Sequence, residues 1–144
     1  MNTLFHLAFP VHDLALAKDF YQHKLGFELG RESGQAVIFK FGTHQIVAHK
    51  VEFPTPLQDG IYPRHFGLIF LERHEFDVFL EQIRRAGISL EIPLKIRFEG
   101  TRIEHRSFFL KDPSNNLLEF KYYQFASAIF DEKDFKKIGE SSQN

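Results

Sequence analysis

The sequence predicts an α+β fold. Two βαβββ modules form a curved eight-stranded sheet or half-barrel with helices outside. Three observations predict it. From Leu4 to Val51 the patterns run strand, helix, then three strands. The same order returns from Arg64 to Tyr123, after a stretch holding Pro54, Pro56 and Pro63. Equivalent residues also fall at equivalent places. His6 and His65 sit in the two opening strands, and Leu25-Gly26-Phe27 matches Ala86-Gly87-Ile88 at the helix-to-strand corner. One four-stranded unit cannot cover both its faces alone, so two units side by side are expected.

Each element follows from its residues. LFHLAFPV (4–11) reads as a strand with His6 and Ala8 on one face and Phe5, Leu7 and Phe9 on the other. Asp13 is a candidate N-cap, and Leu14, Ala17, Phe20, Tyr21 and Leu25 predict a helix over 14–24, stopped by Gly26. Strands are expected from Phe27, over 35–41 and over 44–51. The proline-containing stretch 52–63 is a linker. In the second module, 64–70 is a strand that includes His65, and 75–86 is a helix with Phe76, Phe79, Leu80 and Ile83 as its apolar stripe. Residues 88–92 are expected as a strand, 93–100 as a loop, and 103–110 and 117–123 as strands around the turn cluster Asp112-Pro113-Ser114-Asn115. This gives a single domain over 1–123 and a C-terminal extension over 124–144. A short helix is expected there over 126–138, with disorder over 139–144.

Composition narrows the function. The 144 residues carry a net charge of −1, which gives no electrostatic reason to bind nucleic acid or an anionic membrane. No apolar run approaches a membrane span and the N-terminus lacks a basic leader, so a cytoplasmic protein is expected. With no cysteine, disulfides, thiolate nucleophiles and thiolate metal sites are excluded. The 18 Phe predict an aromatic core, and the 8 His supply candidate metal ligands or acid/base groups.

The chemistry is expected at three residues. His6 and His65 open the two modules, and Glu119 lies in the last strand among Leu117, Leu118 and Phe120. A buried carboxylate needs a cation or a strong donor. A divalent metal held by two imidazoles and one carboxylate satisfies all three side chains, and so does a set of ordinary hydrogen-bonded strand residues. His49 and His105 are candidates for proton transfer, and Arg64 and Arg106 for holding a substrate carboxylate, against the plainer reading of solvated strand-edge residues.

DPSNNLLEF (112–120) and DFYQHKLGFEL (19–29), with His6 and His65 opening the modules, resemble the vicinal oxygen chelate superfamily. That superfamily includes glyoxalase I, extradiol dioxygenases, fosfomycin-resistance enzymes and bleomycin-binding proteins. The resemblance covers about residues 4–123. It implies His6, His65 and Glu119 as metal ligands and a small substrate that chelates the metal through vicinal oxygens. It also implies a homodimer, whose site is built either within one chain or across two. Glyoxalase I adds a fourth ligand in the first module, where this chain has Val47, with Gln45 and His49 two residues away on the same face. That departure leans the expectation to a dioxygenase with Fe2+ or Mn2+. Zn2+, Ni2+ or Co2+ with lyase or isomerase chemistry is the alternative, and a metal-free sequestering protein is the third.

Overall fold

The structure, a computed structural model, describes residues 1–139. The first module comprises β1 (His6–Val11), α1 (Leu14–Lys18), a π-helical turn (Asp19–Lys24), β2 (Glu28–Glu32), β3 (Ala36–Phe41) and β4 (His44–Lys50). The second comprises β5 (Phe66–Phe70), α2 (Arg73–Arg85), β6 (Ile92–Arg97), β7 (His105–Lys111) and β8 (Leu117–Tyr123). The eight strands form two four-stranded mixed sheets, ordered β1-β4-β3-β2 and β5-β8-β7-β6. In each, the opening strand pairs parallel with the closing strand and the rest pair antiparallel. No described helix is long and apolar enough to cross a membrane.

One apolar core serves both modules. Strand residues alternate faces, and the inward set is Phe9, Val11, Phe39, Phe41, Ile46 and Ala48 in the first sheet and Phe108, Leu110, Leu118 and Phe120 in the second. Rings cross the boundary: Phe9 meets Phe66 at 5.2 Å, Phe41 meets Phe120 at 6.1 Å and Phe27 meets Phe79 at 6.1 Å between centroids. The phenylalanine excess thus builds the seam between the repeats.

The DPSNN turn is a clamp on this seam. Asp112 is buried, and its Oδ1 accepts the backbone N–H groups of Ser114 and Asn116. Its Oδ2 accepts the Tyr21 hydroxyl at 2.7 Å and the Asn116 amide at 2.9 Å. Burial and the Asp112 carboxylate push the Tyr21 phenol well above its ordinary 10.0. His12 and Ser114 bond side chain to side chain at 2.7 Å, and Asn116 donates to the Pro10 carbonyl. His12 therefore ties the end of β1 to the second module. Asn115 takes a φ of 67°, a left-handed position that Asn tolerates.

Four elements differ from expectation. The helix over 14–24 is α-helical only to Lys18. The Leu25 N–H then bonds the Phe20 carbonyl, five residues back, and the wider turn buries the adjacent Phe20 and Tyr21 together. The strand expected over 88–92 and the loop over 93–100 are replaced by β6 at Ile92–Arg97. Pro93 fits there because β6 is an edge strand whose register shifts between Ile92 and Lys95. His65 immediately precedes β5 rather than lying within it. The helix expected over 126–138 is only a 3-10 turn at Ala126–Ala128, and Glu132 at φ 55° breaks any continuation. The disorder expected over 139–144 falls, from residue 140 on, outside the described residues.

Candidate active site

The sheet faces turned away from the core carry the polar residues. On the second sheet the register sets Gly67 beside Glu119, Glu119 beside Phe109, Lys121 beside Ser107 and Tyr123 beside His105. All of these share one face, and His65 leads into it from the linker. Gly67 is required because a Cβ there would lie 1.6 Å from the Glu119 carbonyl oxygen. Any side chain would push β5 off β8.

His65 and Glu119 form the centre. His65 Nε2 lies 3.5 Å from Glu119 Oε1, and Lys121 Nζ lies 3.5 Å from the same oxygen. The other imidazole nitrogen, Nδ1, lies 2.7 Å from the Ile61 carbonyl oxygen. A carbonyl only accepts, so Nδ1 carries a proton toward Ile61, and the protonated ring also donates from Nε2 toward the Glu119 carboxylate. In the neutral ring with Nδ1–H, the Nε2 lone pair is the one open to a metal. The ring also rests edge-on against Phe109 at 5.1 Å. Burial works to raise the Glu119 pKa. The His65 hydrogen bond, the Lys121 charge and the Ser107 hydroxyl outweigh it and hold the carboxyl at about 2. The hydrogen bond to Glu119 raises His65 despite partial burial, and the Ile61 carbonyl adds to it. Burial works to lower Lys121, but Glu119 and Tyr123 raise it overall.

The remaining floor is built by β6, β7 and β8. His105 is buried, stacked 4.8 Å from Tyr123, and burial lowers its pKa despite its bond to the Ile103 carbonyl. It is therefore a neutral base near neutral pH. Arg97 is buried and its Nε donates to Ser107 Oγ at 3.2 Å. A cavity of about 360 Å³ opens over His65, Glu119, Lys121, His105 and Arg97.

The sequence-predicted residues thus divide. The structure brings His65, Glu119 and His105 to one cavity. His6 and His49 lie on the first sheet, on the face away from the core. Among the described residues, no three His, Asp or Glu side chains of one chain gather into a metal-sized group. His6 Nδ1 is 2.7 Å from Gln45 Oε1, so it is engaged as His65 Nδ1 is and its Nε2 is likewise the presented nitrogen. Val47 occupies the register position that Glu119 occupies in the second module, beside Ala8 as Glu119 is beside Gly67. His49 is exposed at the position equivalent to Lys121. Arg64 bonds the Pro56 carbonyl, and Arg106, paired with Tyr122, lies on the opposite face of β7 from His105. Sequence reasoning missed Arg97, Ser107, Lys121 and Tyr123. Their signal was period two from His105 and Glu119, and Arg97 fell in the stretch read as a loop.

The donors fit a divalent metal. An imidazole whose distal N–H is fixed by a carbonyl and an adjacent ionised carboxylate are two ligands with their orienting bonds in place. Among the described residues, no third His, Asp or Glu joins them.

The sequence profile described as Glyoxalase/Bleomycin resistance protein/Dioxygenase superfamily matches residues 3–120. A glyoxalase/bleomycin resistance protein/dioxygenase from Alicyclobacillus acidocaldarius is 42% identical. Its crystal structure has a TM-score of 0.85, covering 90% of this chain and 97% of that one. A virulence protein of Salmonella typhimurium is 28% identical over 126 residues, 85% of each chain. The fosfomycin resistance protein FosX of Listeria monocytogenes shares the fold, with 20% identity, a TM-score of 0.68, and coverage of 89% of this chain and 98% of that one.

Proposed function

The chain belongs to the Glyoxalase/Bleomycin resistance protein/Dioxygenase superfamily, and from that premise we propose that it is a metal-dependent enzyme. Its substrate is a small molecule that chelates the metal through adjacent oxygens. Superfamily members generally use divalent metal ions, and they commonly act on small molecules and form dimers. The observation that carries the reading is the His65–Glu119 pair. One carbonyl-fixed imidazole and one ionised carboxylate face each other in a partly buried cavity.

His6 of the partner subunit completes the ligand set. His6 stands on the exposed face of edge strand β1, with Gln45 fixing its ring, and among the described residues it belongs to no group of three His, Asp or Glu side chains. A metal so held supplies Lewis-acid or oxygen-activating chemistry, according to its identity. The chain's own residues do the rest. Lys121 holds positive charge beside Glu119, and neutral His105 accepts a proton from a substrate seated over β7 and β8. Phe109 packs edge-on against His65, whose side chain stays partly exposed.

Three protein ligands lean the reaction to a dioxygenase with Fe2+ or Mn2+. Val47 cannot bind a metal, and the Gln45 oxygen is engaged on His6. Elemental mass spectrometry of anaerobically purified protein tests both levels. About one Fe or Mn per chain, lost in His65→Ala and Glu119→Ala, supports the reading, one site per protomer being what a two-fold dimer provides. Zn, Ni or Co lost in the same variants moves the chemistry to lyase or isomerase. No metal after reconstitution with each ion overturns the enzyme reading in favour of a sequestering protein.

A further inference from the structure

The outer face of the second sheet continues past Glu119 in both directions. Along β8 it runs from Leu117 through Glu119 to Lys121, every second residue, in steps of roughly 7 Å. At the Lys121 end the C-terminal segment 128–139 lies across it as a strap, held by Arg102 through Glu132 at 3.3 Å. At the Leu117 end a second cavity opens, of about 440 Å³ against about 360 Å³ for the first. His65 and Ile61 line both and form their common wall.

The second cavity is mainly apolar. Its walls are Ile92 and Leu117 from the sheet, Leu57 and Ile61 from the linker, and Leu7 and Phe9 from β1. Ile92 lies on the outer face with Glu119, because both pair with Phe109. The polar side chains at the rim each have a partner within the chain. The Gln58 amide donates to the Arg64 carbonyl at 2.9 Å, and the Arg64 N–H donates back to Gln58 at 3.2 Å. The Arg64 guanidinium donates to the Pro56 carbonyl, Asn115 to the Thr55 carbonyl and Asn116 to the Pro10 carbonyl. Lys111 pairs with Glu91 at 3.8 Å. A charged ligand group would give up its water there for side chains already bonded to the chain. An apolar group would instead be taken out of water by the walls, which is favourable.

We propose that this second cavity seats an uncharged apolar chain or ring, the body of the substrate. The substrate's oxygens reach the metal site at Glu119, and its body passes over Leu117, one step along β8. The proposal rests on reading the His65–Glu119 pair as the substrate site. It gives that substrate a class, an oxygenated head on an apolar body, and makes Leu57 and Ile92 specificity-determining residues.

NMR titration of the metal-free full chain tests it, with n-hexanol, benzyl alcohol and 1,6-hexanediol as probes. At least one of the first two binds. The diol, whose body ends in a second hydroxyl, binds at least about tenfold more weakly than the tighter of them. A tighter n-hexanol assigns a chain, and a tighter benzyl alcohol assigns a ring. The bound probe moves the His65 ring signals and leaves those of exposed His23 in place. Leu57→Asp and Ile92→Asp each weaken the tighter probe at least about fivefold, with urea denaturation confirming the fold of each variant. Leu57 is 70% exposed, so its substitution spares the core. Neither residue lines the cavity under the strap, so the two variants tell the cavities apart. The proposal is overturned if neither alcohol binds, or if the diol matches the tighter one. It is also overturned if the His65 signals stay in place, or if the variants fold and keep wild-type affinity. No metal enters this titration, so failure of the metal reading leaves its result standing, and its own failure leaves the metal assay untouched.

Discussion

The two modules share one topology and differ at almost every outward position. In the first, the register places Val47 beside Ile38 and His49 beside Ala36. In the second, the equivalent places hold Glu119 beside Phe109 and Lys121 beside Ser107. Only the opening histidine is common, and in both modules its Nδ1 rests on an oxygen at 2.7 Å. One sheet therefore carries an ion-paired site centred on Glu119, while the other has Val47 at that position, with His6, Gln45, His49 and Lys40 around it on the same face. A repeat held together by a shared aromatic core can change one outer face freely, because that face contributes little to the packing that fixes the fold.

The largest expected effect breaks this asymmetry. Glu119→Ala reduces bound metal from about one per chain to near zero, because it removes the one ionised ligand. Val47→Ala, at the matching position of the first module, leaves metal content unchanged. Elemental analysis of the two variants side by side checks the pair.

The seam comes next. Asp112→Ala strips four donors of their acceptor, including the buried Tyr21 hydroxyl, and should cost about 3 kcal/mol or more in urea denaturation. Tyr21→Phe removes one of those bonds and should cost only about 1 kcal/mol. Equal losses would show that the clamp does not act through Asp112.

Acidity gives a smaller, signed effect in metal-free protein. His65 is raised in the fold, so its contribution is complete below its ordinary 6.5 and is lost as pH rises through the raised value. Glu119 is held at about 2 against an ordinary 4.5, so its contribution is complete above 4.5 and is lost as pH falls through about 2. The stability gap between wild type and Glu119→Gln is therefore widest between these ordinary values. It narrows on both sides in urea titrations across pH. The smallest effect belongs to the first module. Lys40 and Glu28 meet at 3.7 Å in solvent, and Lys40→Ala should change stability by under about 0.5 kcal/mol.

The fold was legible because the repeat restarts visibly at Arg64 and the glycine corners at Gly26 and Gly87 match. His65 and Glu119 were legible as polar residues in apolar strands. His105 was legible only as one histidine among several, since its neutrality depends on burial that sequence does not display. Arg97 was hidden by Pro93, which reads as a loop signal but sits in an edge-strand irregularity. The strap was hidden because Ile129, Phe130 and Phe135 suggest a helix stripe, while Glu132 at φ 55° turns the chain instead. The closing motif was legible as a family mark but not as a clamp, because Tyr21 and Asp112 are 91 residues apart in sequence.

The central claim is that one metal site needs both kinds of face, taken from two copies of the chain. Co-expression of His6→Ala and Glu119→Ala chains tests it most directly. Each variant alone is expected to be metal-free. In a mixed dimer the first supplies intact His65 and Glu119 and the second supplies intact His6, so one of its two sites is whole. With random pairing, metal returns to about a quarter of the wild-type content. A co-expressed sample as empty as each variant alone would contradict the account.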